Sequence, residues 1–416
     1  MKNMFILFFM CPLVSLSSAD LVLGWNQALV LLQKNNKDYH SAELTYRSTE
    51  ILQDSADSGF LPSLSGAINY SQSQTEGVDD ESRLYSGSLT LTQNLFAGFK
   101  DNFKSAEAKA NSLAAAAAFQ IAKAKIRNDF VTAYQNLLSA SENLQLSDNI
   151  VTRRKQNLRL VELRFESGRE NKGSVLLSEA YLAQAKYENL QALHAQQLAQ
   201  VVLAQFLSLP TTQNLRLTDE VPLPRLENKY DFIELSRRTP TYKQILAQAD
   251  ARIAQVGVAR SAFFPSLNLT GTLGRSSPEF FPQSSNKWSV GASITIPLFD
   301  GGRDYASLKS SIYTQQATAI NRISVDQQQV ELLQQAYQKY AQAIEKVKVD
   351  ESFQKAAVVR SEIARHQYNN GLISFTEWDT VENDLILRQK NCISSKKDQV
   401  LSAAAWNKTL GEGVFP

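Results

Sequence analysis

Phe60-Leu61-Pro62-Ser63-Leu64-Ser65-Gly66-Ala67-Ile68-Asn69-Tyr70 is where the chain changes its period. From Leu21 to Asp57 the apolar residues recur at helical spacing with no proline among them. Proline lacks a backbone donor and disfavours helical geometry in the residue before it, so one helix over this span must end ahead of Pro62. Beyond Pro62 the period is two. Leu64, Gly66, Ile68 and Tyr70 share one face, and Ser65, Ala67, Asn69 and Ser71 share the other. A second alternating run follows, with Tyr85, Leu89 and Leu91 opposing Ser86, Ser88, Thr90 and Thr92. Both read as strands with one apolar and one polar face.

The same passage returns 203 residues later. Pro62-Ser63-Leu64 recurs as Pro265-Ser266-Leu267, Leu95-Phe96-x-Gly98 as Leu298-Phe299-x-Gly301, and Ala133-Tyr134-Gln135 as Ala336-Tyr337-Gln338, each pair 203 apart. A register held over that distance means a duplicated topology. Residues 20–208 read as a first repeat and 230–416 as a second. Residues 209–229, with Pro210, Pro222 and Pro224, form the linker between them. In the second repeat a helix over 230–261 stops before Pro265. Leu267, Leu269 and Leu273 then alternate with Asn268, Thr270 and Thr272. Trp288, Val290, Ala292, Ile294 and Ile296 alternate with Ser289, Gly291, Ser293 and Thr295. Pro62, Pro265, Phe96, Gly98, Phe299 and Gly301 mark the helix–strand junctions, where glycine permits a sharp turn.

Each strand pair leads into a long helix, predicted from about residue 103 to Phe165 and from about Asp304 to Tyr368, each reaching ~90–100 Å at ~1.5 Å per residue. Ile126, Phe130, Ala133, Leu137, Ala140, Leu144 and Val151, continued by Leu158, Val161 and Phe165, form a heptad seam. The Ala114–Ala118 run suits either a close helix crossing or a strong helix former. Tips follow at Ser167-Gly168-Arg169 and Asn370-Gly371-Leu372, then return helices over about 174–206 and 376–410. Ser174 matches Thr376 at a spacing of 202, which reads as a small insertion after the first tip.

Lys2, the apolar run Met4–Val14 and Ser17-Ser18-Ala19 read as a secretory signal peptide over residues 1–19. Cys11 follows bulky Met10, which argues against lipid attachment there. Without the leader one cysteine, Cys392, remains, so no intrachain disulfide is expected. Basic and acidic residues nearly balance, 43 against 41, and no basic patch suggests nucleic acid. His40, His194 and His366 lack ligand spacing, and no phosphate-binding or nucleophile motif is present, so neither metal, cofactor nor catalysis is expected.

Strands of about ten residues, free of charge on both faces of their central stretches, fit a tilted bilayer crossing. Acidic Glu76, Asp79, Asp80 and Glu81 fall in one connecting loop, and Pro278 and Pro282 in the other. Tyr70, Tyr85 and Trp288 suit an aromatic girdle. Four strands cannot close a membrane barrel, and hydrocarbon does not tolerate open edges, so copies of the chain must complete one barrel together. A water-soluble periplasmic scaffold that never inserts is the alternative reading.

On these residues, with Trp25-Asn26-Gln27-Ala28-Leu29, Asn35-Asn36 and Ile296-Pro297-Leu298-Phe299-Asp300-Gly301-Gly302, the chain resembles the TolC family of outer-membrane channels over essentially its whole mature length. The resemblance implies an α+β membrane protein and a homotrimer. Long antiparallel helices would form a periplasmic α-barrel, and four strands per chain a shared twelve-strand barrel in outer-membrane lipid. It also implies a periplasmic adaptor (membrane fusion protein) and an inner-membrane ABC, RND or MFS transporter, in efflux or type I secretion. The cargo is unreadable. Tyr368, Glu377 and Asp379 are candidates for the periplasmic constriction. Gly168, Arg169, Gly371 and Leu372 are candidates for adaptor contact at the tips. An arginine that helps latch some members would fall at Ile373, so Arg169, Glu170 or Lys172 is expected to supply different contacts.

Overall fold

The computed structural model describes residues 21–74, 82–212, 214–227, 229–280 and 285–413. The predicted leader, the acidic loop residues Glu76, Asp79, Asp80 and Glu81, and Pro282 lie outside the described residues. The elements run β1 (Leu21–Leu23), α1 (Trp25–Asn35), α2 (Lys37–Asp57), β2 (Ser63–Ser73), β3 (Ser82–Ala97), α3 (Lys100–Glu166) and α4 (Lys172–Phe206). Then come β4 (Leu215–Leu217), α5 (Phe232–Arg238), α6 (Pro240–Ser261), β5 (Ser266–Ser277), β6 (Lys287–Thr295), α7 (Arg303–Asn369) and α8 (Phe375–Leu410). Among the described residues no helix is long and apolar enough to cross a membrane.

The duplication holds in the backbone. Lys100 and Arg303 open the long helices, Glu166 and Asn369 close them, and Asn171 and Ser374 cap the return helices. Each pair is again 203 apart, so the insertion expected after the first tip is not there. Matching Ser174 to Thr376 mistook similar hydroxyl side chains for equivalent positions, since Ser174 and Glu377 are both third in their helices.

Two expected helices are broken. The single helix to Asp57 gives way to β1 and to α1 and α2, which meet at Asn36. That residue caps α2 by accepting from Tyr39 N at 2.8 Å, and its Nδ2 donates to the Phe206 carbonyl at 3.1 Å. Residues 230–261 divide at Thr239, which caps α6 ahead of Pro240 at its first position. The linker is not wholly irregular, because β4 pairs in parallel with β1. Around this point lies the main core: Trp25, Leu29 and Leu32 pack against Phe130, Tyr134 and Leu137 of α3 and Leu203 of α4. A second cluster joins Leu333 and Tyr340 of α7 to Trp406 of α8.

Both long helices span 67 residues, about 100 Å. Ala110, Ala114 and Ala117 of α3 and Ala247, Ala251 and Ala254 of α6 are buried, and α3 packs along α6 as well as α2. The far end carries one antiparallel sheet in the order β2-β3-β5-β6. Its outer strands, β2 and β6, each offer an unpaired edge.

Candidate functional site

The sheet is organised by row. Ser65, Thr90, Thr272 and Ser289 stand side by side across all four strands. The next row on the same face holds Ser63, Thr92, Thr270 and Gly291, and another holds Asn69, Ser86 and Ser276. Hydroxyls, amides and small residues therefore make this face, with Lys287 at its outer margin. The opposite face carries Leu64, Ile68, Leu89, Leu91, Leu269, Leu273, Val290 and Ile294. Ile68 is 94% exposed and Val290 68% in the single chain. An apolar face this open needs an apolar neighbour, since a soluble monomer does not leave so large a patch to water. Tyr70 and Tyr85 lie against one another at the outer end of that face, ring centroids 4.8 Å apart, and Trp288 is exposed on β6 in the row of Leu89 and Leu273.

The junctions behave as glycine chemistry requires. Gly98 has φ +63°, and a Cβ there would stand 2.6 Å from Phe264 Cβ and 2.7 Å from the Ser261 carbonyl. Phe99 shares the left-handed conformation at φ +64°, with its ring edge-on to Phe96 at 5.2 Å. In the second half Gly301 and Gly302 take these positions at φ +76° and +86°, and Phe299 is exposed. Pro62 and Pro265 stand just ahead of β2 and β5.

At the other end both tips close with the same backbone turn. Gly168 N donates to Phe165 O and Arg169 N to Arg164 O, at 2.9 and 2.8 Å. Gly371 N and Leu372 N bond Tyr368 O and Gln367 O at 3.0 and 2.9 Å. The glycines have φ +72° and +75°. Leu372 and Arg169 are exposed at the tips.

Beneath the tips the side chains interlock across the two halves. Tyr368 is fully buried. Its ring stacks on Trp378 at 4.4 Å, and the Arg164 guanidinium covers it at 4.5 Å while donating to the Tyr368 carbonyl. The Tyr368 hydroxyl donates to Glu170 Oε2 at 2.9 Å. Burial, then that carboxylate, pushes the phenol well above its ordinary range. Of the three residues expected to replace the missing latch arginine, Glu170 makes this contact.

One layer further from the tips, Arg153 grips Glu382 through two nitrogens, Nε to Oε2 at 2.5 Å and Nη2 to Oε1 at 2.7 Å. Ser361 Oγ and Asn157 Nδ2 complete the shell around this carboxylate at 2.8 and 3.0 Å. Burial would raise the Glu382 carboxyl, but the Arg153 bonds and charge, with Asn157 and Ser361, hold it below the usual range. Next to it Arg154 Nη1 donates to Asp379 Oδ1 at 3.2 Å, also donates to Asn383, and lies over the Tyr181 ring at 4.7 Å. Four helices, α3, α4, α7 and α8, meet at this double clasp.

These positions correct the sequence reading. Tyr368 is internal and cannot line a pore. Asp379 turns inward to Arg154, with a side chain 12% exposed. Glu377 alone of the three stays exposed, and its Oε2 accepts from Ser374 N at 2.8 Å and Ser374 Oγ at 2.9 Å in a capping box. Those bonds, the backbone one first, lower its carboxyl pKa. The heptad seam is correct from Ile126 to Leu137 but changes character below. Ser147, Arg154 and Asn157 are buried, while Phe165, placed on the seam, is exposed. The clasp was missed because it occupies seam positions with charge where apolar residues were sought. Heptad continuation of Ala133 and Ala140 through Ser147, Arg154 and Val161 places Arg154 on the buried side but not Arg153 or their acidic partners. Among the described residues no cluster of metal-ligating side chains occurs, and His40 sits against the Lys34 carbonyl at 2.8 Å.

A family model described as outer membrane efflux protein matches residues 28–208 and 234–412. The chain is 24% identical to the cation efflux system protein CusC of Escherichia coli, over 94% of this chain and 88% of that one. It is also 24% identical to the probable outer membrane lipoprotein SilC of Salmonella typhimurium, over 91% and 84%. Its fold matches the crystal structure of the Campylobacter jejuni CmeC outer membrane channel with a TM-score of 0.82, at 20% identity, covering 94% of this chain and 86% of that one.

Proposed function

We propose, from the premise that this chain belongs to the outer membrane efflux protein family, that three copies join their sheets edge to edge into one twelve-strand barrel over a shared helical tunnel. The protein is an outer-membrane efflux channel. Its relatives are efflux channels rather than enzymes. The trimer rests on one observation: a four-stranded sheet, apolar and exposed on one face, ends in two unpaired edges. In hydrocarbon each unpaired backbone group costs several kcal/mol, and only closure removes the edges. The chain then acts as two repeats, 20–208 and 230–416, each supplying a hairpin and a helical pair, with 209–229 between them.

The polar rows form the luminal wall of this barrel. They bring hydroxyls and amides to the cargo and almost no charge. All three methionines stand at positions 1, 4 and 10, within the predicted leader, so the wall offers no thioether to a soft metal ion. Cargo meets hydroxyls and amides along this wall. Its choice belongs to the inner-membrane transporter, of ABC, RND or MFS type, which also supplies the energy. Gly168, Arg169, Gly371 and Leu372 present the tips to a periplasmic adaptor. Glu377, kept ionised by Ser374, faces the constriction, and the Arg153–Glu382 and Arg154–Asp379 clasp holds the two helical pairs together behind it.

The test is assembly. The protein should fractionate with the outer membrane and run as a trimer that dissociates only on heating. Cysteines placed at Ser65 on β2 and Ser293 on β6, the two free edges, should crosslink between copies. Release by osmotic shock as a monomer would overturn the trimeric barrel.

A further inference from the structure

We propose that each protomer seats one phosphorylated lipid of the outer leaflet at the outer end of its apolar sheet face, with the phosphate on Arg275 and an acyl chain over Gly87. The inference rests on the membrane-barrel reading above. Ile68, Gly87 and Arg275 stand side by side in one cross-strand row of that face. Nothing lies within 4 Å of where a Cβ on Gly87 would stand, so the middle of the row is an open notch. Tyr85 and Leu89 flank it along β3. The Tyr85 ring is itself held between Tyr70, at 4.8 Å, and Phe280, edge-on at 5.5 Å. The notch thus has an apolar floor and aromatic walls, the shape and chemistry of a hydrocarbon chain.

Charge fixes the headgroup. The strand residues described on this face carry two charges, Arg83 and Arg275, both cationic and both at the end remote from the helices. The other end of the same face has Gln93 and leucines. Arg275 is exposed, and its Nε donates to Asn286 Oδ1 at 2.5 Å, which steadies the planar guanidinium. A steadied guanidinium at the rim of an apolar wall suits a phosphate better than water alone, because its fork matches two phosphate oxygens. An arginine facing hydrocarbon without such a partner would be costly. The helices lie on the periplasmic side, so this rim meets the outer leaflet.

The full-length protein, extracted in mild detergent as its native oligomer, should be titrated with diphosphorylated lipid A, its dephosphorylated form and phosphatidylglycerol, with occupancy read by native mass spectrometry. The parent should prefer the diphosphorylated lipid about tenfold over the dephosphorylated one, a typical gain for one charge-assisted contact. Arg275→Gln should abolish that preference. Gly87→Leu, which has room in the structure, should weaken both forms of lipid A about equally. Val290→Ala, away from the notch on the same face, should change neither. An undiminished preference in Arg275→Gln, or parent-like binding by Gly87→Leu, overturns the site. Equal, Arg275-dependent binding of phosphatidylglycerol overturns the outer-leaflet assignment. Failure of the parent to insert and conduct at all would overturn the barrel reading and, with it, this one.

Discussion

The two halves of the chain repeat the bounds of their long and return helices but not their charges. Arg153, Arg154 and Arg164 on α3 stand where α7 has Ala356, Ala357 and Gln367. Glu170 at the first tip stands where the second has Ile373, and Phe165 where the second has Tyr368. Going the other way, Asp379 corresponds to Leu176, while Glu382 keeps a glutamate at its equivalent, Glu179, and differs from it in burial, 1% exposed against exposed. In the clasp the first half supplies the cations and the second the anions, while further along Lys390 of the second half pairs with Glu188 of the first at 2.6 Å. Divergence left complementary ion pairs on one side of the repeat only, at the clasp and at Glu188–Lys390, among the helices. At the sheet the halves stay alike, leucine opposite leucine and hydroxyl opposite hydroxyl.

The sharpest way to break this comparison is to remove one side of the clasp. Glu382→Ala leaves Arg153 facing a buried site with no carboxylate and should cost about 3–5 kcal/mol of tip closure. Planar-bilayer recordings should show a large rise in open probability at neutral pH. Arg153→Ala combined with Glu382→Ala should recover part of the loss, because no unpaired charge then remains. A closed Glu382→Ala channel would mean that the tips are held by something else. Acid should do the same reversibly. Glu382 titrates below the ordinary 4.5 in the folded protein, so the pair contributes in full above that value. The contribution fades as pH falls through the lowered pKa. Opening should therefore begin only below about pH 4.5 and be missing from the double variant.

A smaller effect separates the two junctions. Ala at Gly98 must hold a left-handed φ and push against Phe264 and the Ser261 carbonyl. Ala at Gly301 meets nothing within 4 Å and pays only the left-handed term, ~1–2 kcal/mol. Adding overpacking of ~1–3 kcal/mol, Gly98→Ala should lower the heat-dissociation temperature of the oligomer clearly more than Gly301→Ala. Equal losses would show that the halves are as alike here as their sequences suggest.

What could be read without coordinates follows the same division. Where a residue's role is set by its own backbone preference or its period, sequence sufficed. Pro62 and Pro265 mark the changes of period, Gly98 and Gly301 the turns, and Leu64 through Tyr70 the faces of a strand. Where the role depends on a partner far along the chain, it did not. Asn36 looks like any polar helix residue until Phe206 receives its amide. Arg154 and Asn157 look like solvent-facing positions until Asp379 and Glu382 arrive from the other half. The error over Ser174 has the same origin, because capping geometry rather than side-chain likeness fixes which positions correspond.

Tyr368 tests whether the tip needs its polar contact or only its stacking. Tyr368→Phe keeps the ring against Trp378 and under Arg164 but loses the bond to Glu170, which still accepts from Asn171 N and Ser174 Oγ at 3.0 Å each. A bond to a charged acceptor is worth about 1.5 kcal/mol at the low end. Open probability should rise roughly tenfold, well short of Glu382→Ala. No change would assign the closure to stacking alone and make Glu170 a local cap.

Glu377 should give the smallest effect, and it separates pore chemistry from helix chemistry. Its equivalent in the first half is Ser174, which is buried and uncharged, so a ring of Glu377 carboxylates would be a property of the second half only. Glu377→Gln keeps the capping-box acceptor while removing the charge, and Glu377→Ala removes both. If Glu377 faces the constriction, both variants should lose the same share of cation preference, read as a shift in reversal potential under a salt gradient near 10 mM, where the Debye length is about 30 Å. The shift should shrink as salt is raised. If Glu377 only caps α8, Gln should behave as the parent, and Ala alone should loosen the tip slightly.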